Sequence, residues 1–419
     1  MNILIITQLY PQPDDYGDNR PTKTVEYFAK QWVDDGHSVV VTHCSSKFPI
    51  IFYLIPTSIK NKLAGATSNI FPPLSSRKKL ARQEYGIDIY RFPMLKMLPG
   101  CGYSKKVIKK QSIEICSILD SKGFSPELVV GHFANPSTEL VVNIAEYYQA
   151  MSSIVFHGDC NARTLGRYRL GDNVKKIGAI GTRSIGEARQ VKELLHLDKE
   201  PFVCYSGVPN SAIETVATEC NKHDYNKGIR FIYVGSFISR KHVDTVISAF
   251  DRIANLRDTL TIVGGGPDEN ALKDLAKKCK HSSQIVFTGK VKRDIVLQLM
   301  KEAHVFTLVS TGEVFGMVYI ESMLQGCITI ASKGGGFDGI IKSSENGFIC
   351  NPGDEDMLVA VYEQIKSMTM EELNTIGNNA IKTALQYSEK AVAEKYLSDI
   401  CNNQKKEKGK IYNYENTIC

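Results

Sequence analysis

The sequence predicts an α/β protein of two domains, each a doubly wound parallel sheet covered by helices. Three observations carry this expectation. The chain has 419 residues, too many for one ordinary core and suited to two domains of roughly 200 residues each. Short apolar runs alternate with helix-period segments along most of its length, the pattern that builds parallel sheets. Finally, the apolar run Val305 to Val309 leads through Ser310–Glu321 into a helix-period segment, Gly316 to Gln325. Open α/β sheets hold their ligands at such strand-to-helix turns.

Taken in order, Asn2 to Thr7 reads as a first strand, about Pro21 to Asp35 as an amphipathic helix closed by Gly36, and Ser38 to Thr42 as the next strand. The connecting loop, Tyr10 to Arg20, has a single glycine, Gly17, and so lacks the Gly-x-Gly-x-x-Gly dinucleotide fingerprint. A nicotinamide enzyme is therefore disfavoured. Between Phe48 and Arg82 the periodicity breaks down, ending in the basic residues Arg77, Lys78, Lys79 and Arg82. Lys105, Lys106, Lys109 and Lys110 then share one face of a helix. Two readings of these clusters stay open, a solvated helix face, the commoner meaning of such a pattern, or contact with an anionic membrane surface. Leu128 to Val130 and Ser153 to Phe156 read as buried strands, placing His132 and His157 at strand ends. A lone histidine in that position is more often structural than functional.

Ser206 to Gly228 reads as a linker. A second alternating unit follows, with strands at Ile229–Val234, Thr259–Val263 and Gln284–Thr288 and helices at Val243–Ala254 and Asn270–Cys279. The glycines before Pro267 lack a following Gly-Lys-Ser/Thr, so they mark a tight turn and not a Walker loop. Ile328 to Ala331 is a further strand, Asn346-Gly347 a tight turn, and Glu389 to about Asn402 a helix before a Lys-rich tail. The expected boundaries are 1–205 for the first domain, 206–388 for the second, and 389–419 for a helix crossing back to the first plus the tail.

Composition narrows the function classes. The formal charge is only +6 with both signs scattered, so nucleic-acid binding is not indicated. Eleven cysteines without a Cys-x-x-Cys pair argue against a zinc site or disulfide framework and for a reducing compartment. No secretory signal is visible, and the longest uncharged apolar run, Phe48 to Ser58, is too short to span a bilayer. These features predict a cytoplasmic protein, with peripheral contact on the inner face of the membrane as the open question.

The candidate site is the turn at Gly316. A helix opening there presents free backbone N–H groups and a positive dipole end, which suits a phosphate or diphosphate. Glu313 precedes the opening and Glu321 lies inside the helix. Eight positions at 1.5 Å each separate them by roughly 12 Å if mostly helical, too far for a glycosidase pair. They are placed to grip hydroxyls at two ends of a nucleotide sugar; the competing reading is a loop acid and a helix-surface charge.

Glu313-Val314-Phe315-Gly316 followed by Glu321-Ser322-Met323-Leu324-Gln325-Gly326 resembles the Glu-x7-Glu motif of the retaining GT-B glycosyltransferases of family 4. The resemblance implies two Rossmann-like domains facing across a cleft and a nucleoside-diphosphate sugar as donor, a UDP- or GDP-sugar. It also implies chemistry without a metal or other cofactor. It assigns Glu313 to the donor sugar, Glu321 to the ribose, and the backbone of Phe315, Gly316, Met317 and Val318 to the diphosphate. His157, in His-Gly-Asp, matches the histidine at the reacting centre, and Gly17 the first-loop glycine. Val234-Gly235-Ser236-Phe237 with Arg240-Lys241 resembles the diphosphate-binding segment, with Lys241 matching its lysine. Ser236 stands where the family has arginine, and Arg240 is the candidate replacement. Gly289-Lys290-Val291 falls where the backbone meets the nucleobase. The implied acceptor is a saccharide or lipid-linked saccharide of surface polysaccharide. A nucleotide-sugar epimerase of the same architecture and a non-catalytic nucleotide-sugar-binding subunit are the alternatives. Asp338 receives no role, because the glycines around it align in two ways.

Overall fold

The structure, a computed structural model, describes residues 1–13, 23–56, 74–214 and 225–404. Gly17, the linker around 215–224 and the tail after Gln404 lie outside them. The chain divides into two compact units: Met1–Thr182, Ala188–Cys204 and Ala393–Cys419 form unit 1, and Arg183–Glu187 with Tyr205–Val392 form unit 2. The short segment Arg183–Glu187, which the sequence reading left in the first domain, packs with the second.

Unit 1 contains strands β1 (Asn2–Thr7), β2 (Ser38–His43), β3 (Ser46–Lys47), β4 (Leu80–Glu84), β5 (Ile87–Arg91), β6 (Met94–Leu95), β7 (Leu128–His132), β8 (Met151–Val155), β9 (Ala179–Thr182) and β10 (Phe202–Val203). Its main sheet runs β10-β9-β8-β7-β1-β2-β5-β4, with β4 antiparallel to β5 and the other pairs parallel. Ile3, Leu4, Ile5 and Ile6 are all fully buried, as expected of a parallel strand covered on both faces. The hairpin β4–β5 was not foreseen. Its two-residue turn, Tyr85-Gly86, has φ 52° and 74°, the left-handed pair a primed turn requires, but a tyrosine in that position gives no turn signal. β3 and β6 form a separate two-stranded parallel ribbon.

Unit 2 contains β11 (Arg230–Ser236), β12 (Thr259–Gly265), β13 (Ile285–Gly289), β14 (Val305–Leu308), β15 (Ile328–Ser332) and β16 (Phe348–Cys350). They lie in the order β13-β12-β11-β14-β15-β16, all parallel. The direction of winding reverses between β11 and β14, the switch point outside which doubly wound sheets bind ligands. In unit 1 the same reversal falls between β1 and β7. Each unit has its own apolar core.

Candidate functional site

Two loops leave the switch point of unit 2 side by side. After β11 the chain passes Phe237 and Ile238 into a turn at Ser239–Lys241, then His242, whose φ of 48° is left-handed, and the helix Val243–Ile253. After β14 it passes Ser310 to Gly316 into the helix Met317–Leu324. The loops are tied together: the Thr311 amide donates to Arg240 O at 2.8 Å, and Thr311 Oγ1 meets His242 Nε2 at 2.8 Å. A left-handed non-glycine costs on the order of 1–3 kcal/mol, and these bonds hold it in place.

That arrangement brings Lys241 to Glu313. The ammonium is nearly buried and bonds Glu313 Oε2, which also accepts from Ser310 Oγ at 2.9 Å. Arg240 Nη1 stands 4.0 Å from the same oxygen and its side chain is half exposed. The third loop of the site lies on the second: the Gly336 amide donates to Glu313 O at 2.9 Å, and a Cβ at Gly336 would fall 2.4 Å from Phe315 Cα. Asp338 accepts from the Gly334 amide at 2.7 Å, so it shapes this loop.

Gly316 caps the helix with φ 76°, and a Cβ there would meet the Tyr319 ring at 2.6 Å. Tyr319 in turn anchors the helix, its hydroxyl donating to Leu308 O at 2.7 Å. With no side-chain cap at Gly316, the amides of Met317 and Val318 begin the helix as donors without partners inside it. The Phe315 ring is buried against Tyr205 and Phe337, so only its backbone is placed for a ligand.

Glu321, one turn into this helix, pairs with Arg293 Nη2 at 2.6 Å. Burial pushes its carboxyl above the ordinary glutamate range, while the guanidinium pulls the other way. Arg293 opens the helix Arg293–Glu302 after β13 and was missed by the sequence reading, although its place just beyond Gly289-Lys290-Val291 was a usable signal. Lys290 is exposed and lies over Gly265, where a Cβ would meet its Cγ at 3.3 Å; Val291 is half-buried. Ser236 is exposed, its carbonyl accepting from Tyr233 Oη at 3.1 Å. Gly264 and Gly266 press on the backbones of Gly235 and Phe237, where a Cβ would fall 1.8 and 2.3 Å from carbonyl oxygens. The glycine run thus serves close strand-to-loop packing in addition to a turn.

His157 lies in unit 1, just after β8. Its Nε2 is 3.0 Å from Nδ1 of the buried His132 and its ring stacks on Phe133 at 4.1 Å. Asp159 pins the two loops together by accepting from the amides of Ala134 at 2.5 Å and His157 at 2.9 Å. Burial raises its pKa, and those amides oppose the shift. A groove of about 650 Å³ in unit 1, between helices Lys105–Ser121 and Ser137–Tyr148, contains none of the predicted site residues. Among the described residues no three His, Cys, Asp or Glu side chains gather as metal ligands.

Residues 219–383 match the family model described as Glycosyl transferases group 1. The chain is 30% identical over 168 residues to N-acetyl-alpha-D-glucosaminyl L-malate synthase of Bacillus anthracis, covering 39% of this chain and 43% of that one. It thus spans less than half the length of that relative. Among solved structures it is similar to the lipopolysaccharide outer core galactosyltransferase WaaB, with TM-score 0.67 at 16% identity over 96% of this chain and 99% of that one. HepE of Anabaena in complex with UDP gives TM-score 0.64 at 15% identity, over 96% and 100%. The fold is therefore GT-B, and residues 219–383 carry a glycosyl transferases group 1 domain.

Proposed function

We propose that this chain is a retaining glycosyltransferase of family 4 type, moving a sugar from a UDP- or GDP-sugar to an acceptor hydroxyl. The observation that carries the reading is the meeting of Lys241 and Glu313 at the switch point, beside the open end of helix Met317–Leu324. A donor diphosphate on the amides of Met317 and Val318 takes Lys241 as its cation, and Glu313, released from Lys241, accepts from hydroxyls of the donor sugar. Arg240, already 4.0 Å from Glu313, supplies the second cation in place of the arginine that Ser236 replaces. Glu321 accepts from the ribose hydroxyls and the backbone at Lys290 and Val291 meets the base; the resemblance assigns His157 of unit 1 to the reacting centre. In the transfer the bond from the anomeric carbon to the diphosphate oxygen breaks, the acceptor oxygen bonds that carbon, and the acceptor hydroxyl's proton passes to the departing diphosphate. The nucleoside diphosphate leaves with the charge that Lys241, Arg240 and the helix end stabilise without a metal ion.

The acceptor reading is a saccharide or lipid-linked saccharide of surface polysaccharide, supported by the likeness to a lipopolysaccharide galactosyltransferase. The deciding experiment screens UDP-, GDP- and ADP-sugars for donor-induced thermal stabilisation and then assays transfer from the stabilising donor to acceptor glycans. Stabilisation by one donor class followed by transfer is the expected outcome. Epimerised donor without transfer, or binding without turnover, overturns it.

A further inference from the structure

We infer that the β3–β6 ribbon of unit 1 is a docking surface for an anionic lipid bilayer. The chain's charge is unevenly distributed: residues 47–110 hold 13 basic and 2 acidic side chains, net +11, which leaves the remainder at −5 against the overall +6. Exposed apolar side chains concentrate in the same stretch. Among the described residues, eight of the fifteen large apolar side chains left exposed fall between Ile50 and Leu98, including Leu54 at 78%, Met97 at 66% and Ile51 at 64%.

The topology gathers them. β3 and β6 are parallel, with Lys47 paired to Leu95, so the segments that follow, Phe48–Leu54 and Lys96–Leu98, leave the same end of the ribbon. Arg77 joins them, donating to Phe48 O at 3.0 Å with its guanidinium 5.1 Å over the Tyr53 ring, and brings the exposed Leu74 and Lys78 with it. Tyr103 Oη bonds Ser46 Oγ at 2.8 Å, which brings the start of helix Lys105–Ser121 and its exposed Lys105, Lys106, Lys109 and Lys110 to the ribbon. Aliphatic side chains on segments tied to lysine-bearing ones suit insertion among acyl chains beneath anionic headgroups. A nucleic acid is the poorer fit, since it would meet isoleucine, leucine and methionine where base stacking uses aromatic rings. No helix among the described residues is long and apolar enough to cross a membrane, so contact here is peripheral.

The inference rests on unit 1 alone and stands whether or not the transferase reading holds. Its test is sedimentation of the full chain with vesicles of phosphatidylcholine alone or with about 30% phosphatidylglycerol, at low and high salt. Binding to the anionic vesicles should exceed binding to neutral ones by about tenfold or more and fall as salt rises. Leu54→Asp with Met97→Asp should lower it about tenfold, as should Lys78→Glu with Lys106→Glu, both with unchanged melting curves because these side chains are exposed. Equal binding to both vesicle types, no binding at low salt, or aspartate variants that bind like the parent overturns the assignment. So does retention on a single-stranded polynucleotide with none on vesicles.

Discussion

Lys241 and Glu313 hold each other, so on the proposed reading a donor diphosphate exchanges one partner for another at the lysine. Lys241→Ala should lower kcat/KM by about 10²-fold or more, the scale for one preorganised contact to a leaving group; unchanged turnover removes it from the mechanism. On the proposed reading Arg293 acts through its ion pair with Glu321. Burial makes that carboxyl hold its proton to higher pH, and the guanidinium lowers the midpoint. Replacing the cation moves the midpoint up, so affinity that needs the carboxylate is lost earlier as pH falls. As pH falls, Arg293→Gln should therefore lose nucleoside diphosphate affinity at a higher pH than the parent, with Arg293→Lys restoring most of it. Superimposable curves of Kd against pH would refute this. At this scale the sequence pointed to Lys241, Glu313 and Glu321 as candidates, because each sits at a fixed offset from a strand end or glycine. It could not show the left-handed backbone of His242 or the Arg293–Glu321 pair, which depend on elements meeting in space.

The helix Glu389–Asn403 illustrates how an element acquires its place. Its Tyr396 ring is buried among Phe28 at 4.9 Å, Trp32 at 5.4 Å, and Phe202 and His132 at 5.8 Å, with its hydroxyl 3.4 Å from His132 Nε2. Tyr396→Ala should cost about 3–5 kcal/mol in urea unfolding of unit 1, against less than about 1.5 for Tyr396→Phe. Equal losses would mean that the hydroxyl, not the ring, does the anchoring. Asp159→Ala removes a carboxylate holding two amides and should destabilise by about 1.5–3 kcal/mol per charged hydrogen bond lost, read in the same unfolding curves. Helical periodicity and short apolar runs were readable in several helix and strand segments of this unit. The β4–β5 hairpin was not, since Tyr85-Gly86 gives no turn signal, nor were β9 and β10, whose four and two residues carry too little pattern to register.

Both units repeat one winding order, and the alternation that encodes it was visible along the chain, whereas strand neighbours such as β11 with β14 come only from the fold. If the donor is held by unit 2, a nucleoside diphosphate at about 100 times its Kd should stabilise the unfolding of that unit by about 2.7 kcal/mol. The unit 1 transition, followed through Trp32, the chain's single tryptophan, should stay where it is. A shift confined to the Trp32 signal would move the donor site to the other unit.

The indole of Trp32 donates to the carbonyl of Ala393, 361 positions later, at 3.2 Å. A nascent chain leaving the ribosome at about 5–20 residues per second must wait roughly 20–70 s for that partner to be made. Through that interval the aromatic wall formed by Phe28 and Trp32 lacks its cover, and apolar surface stays exposed until the helix Glu389–Asn403 emerges.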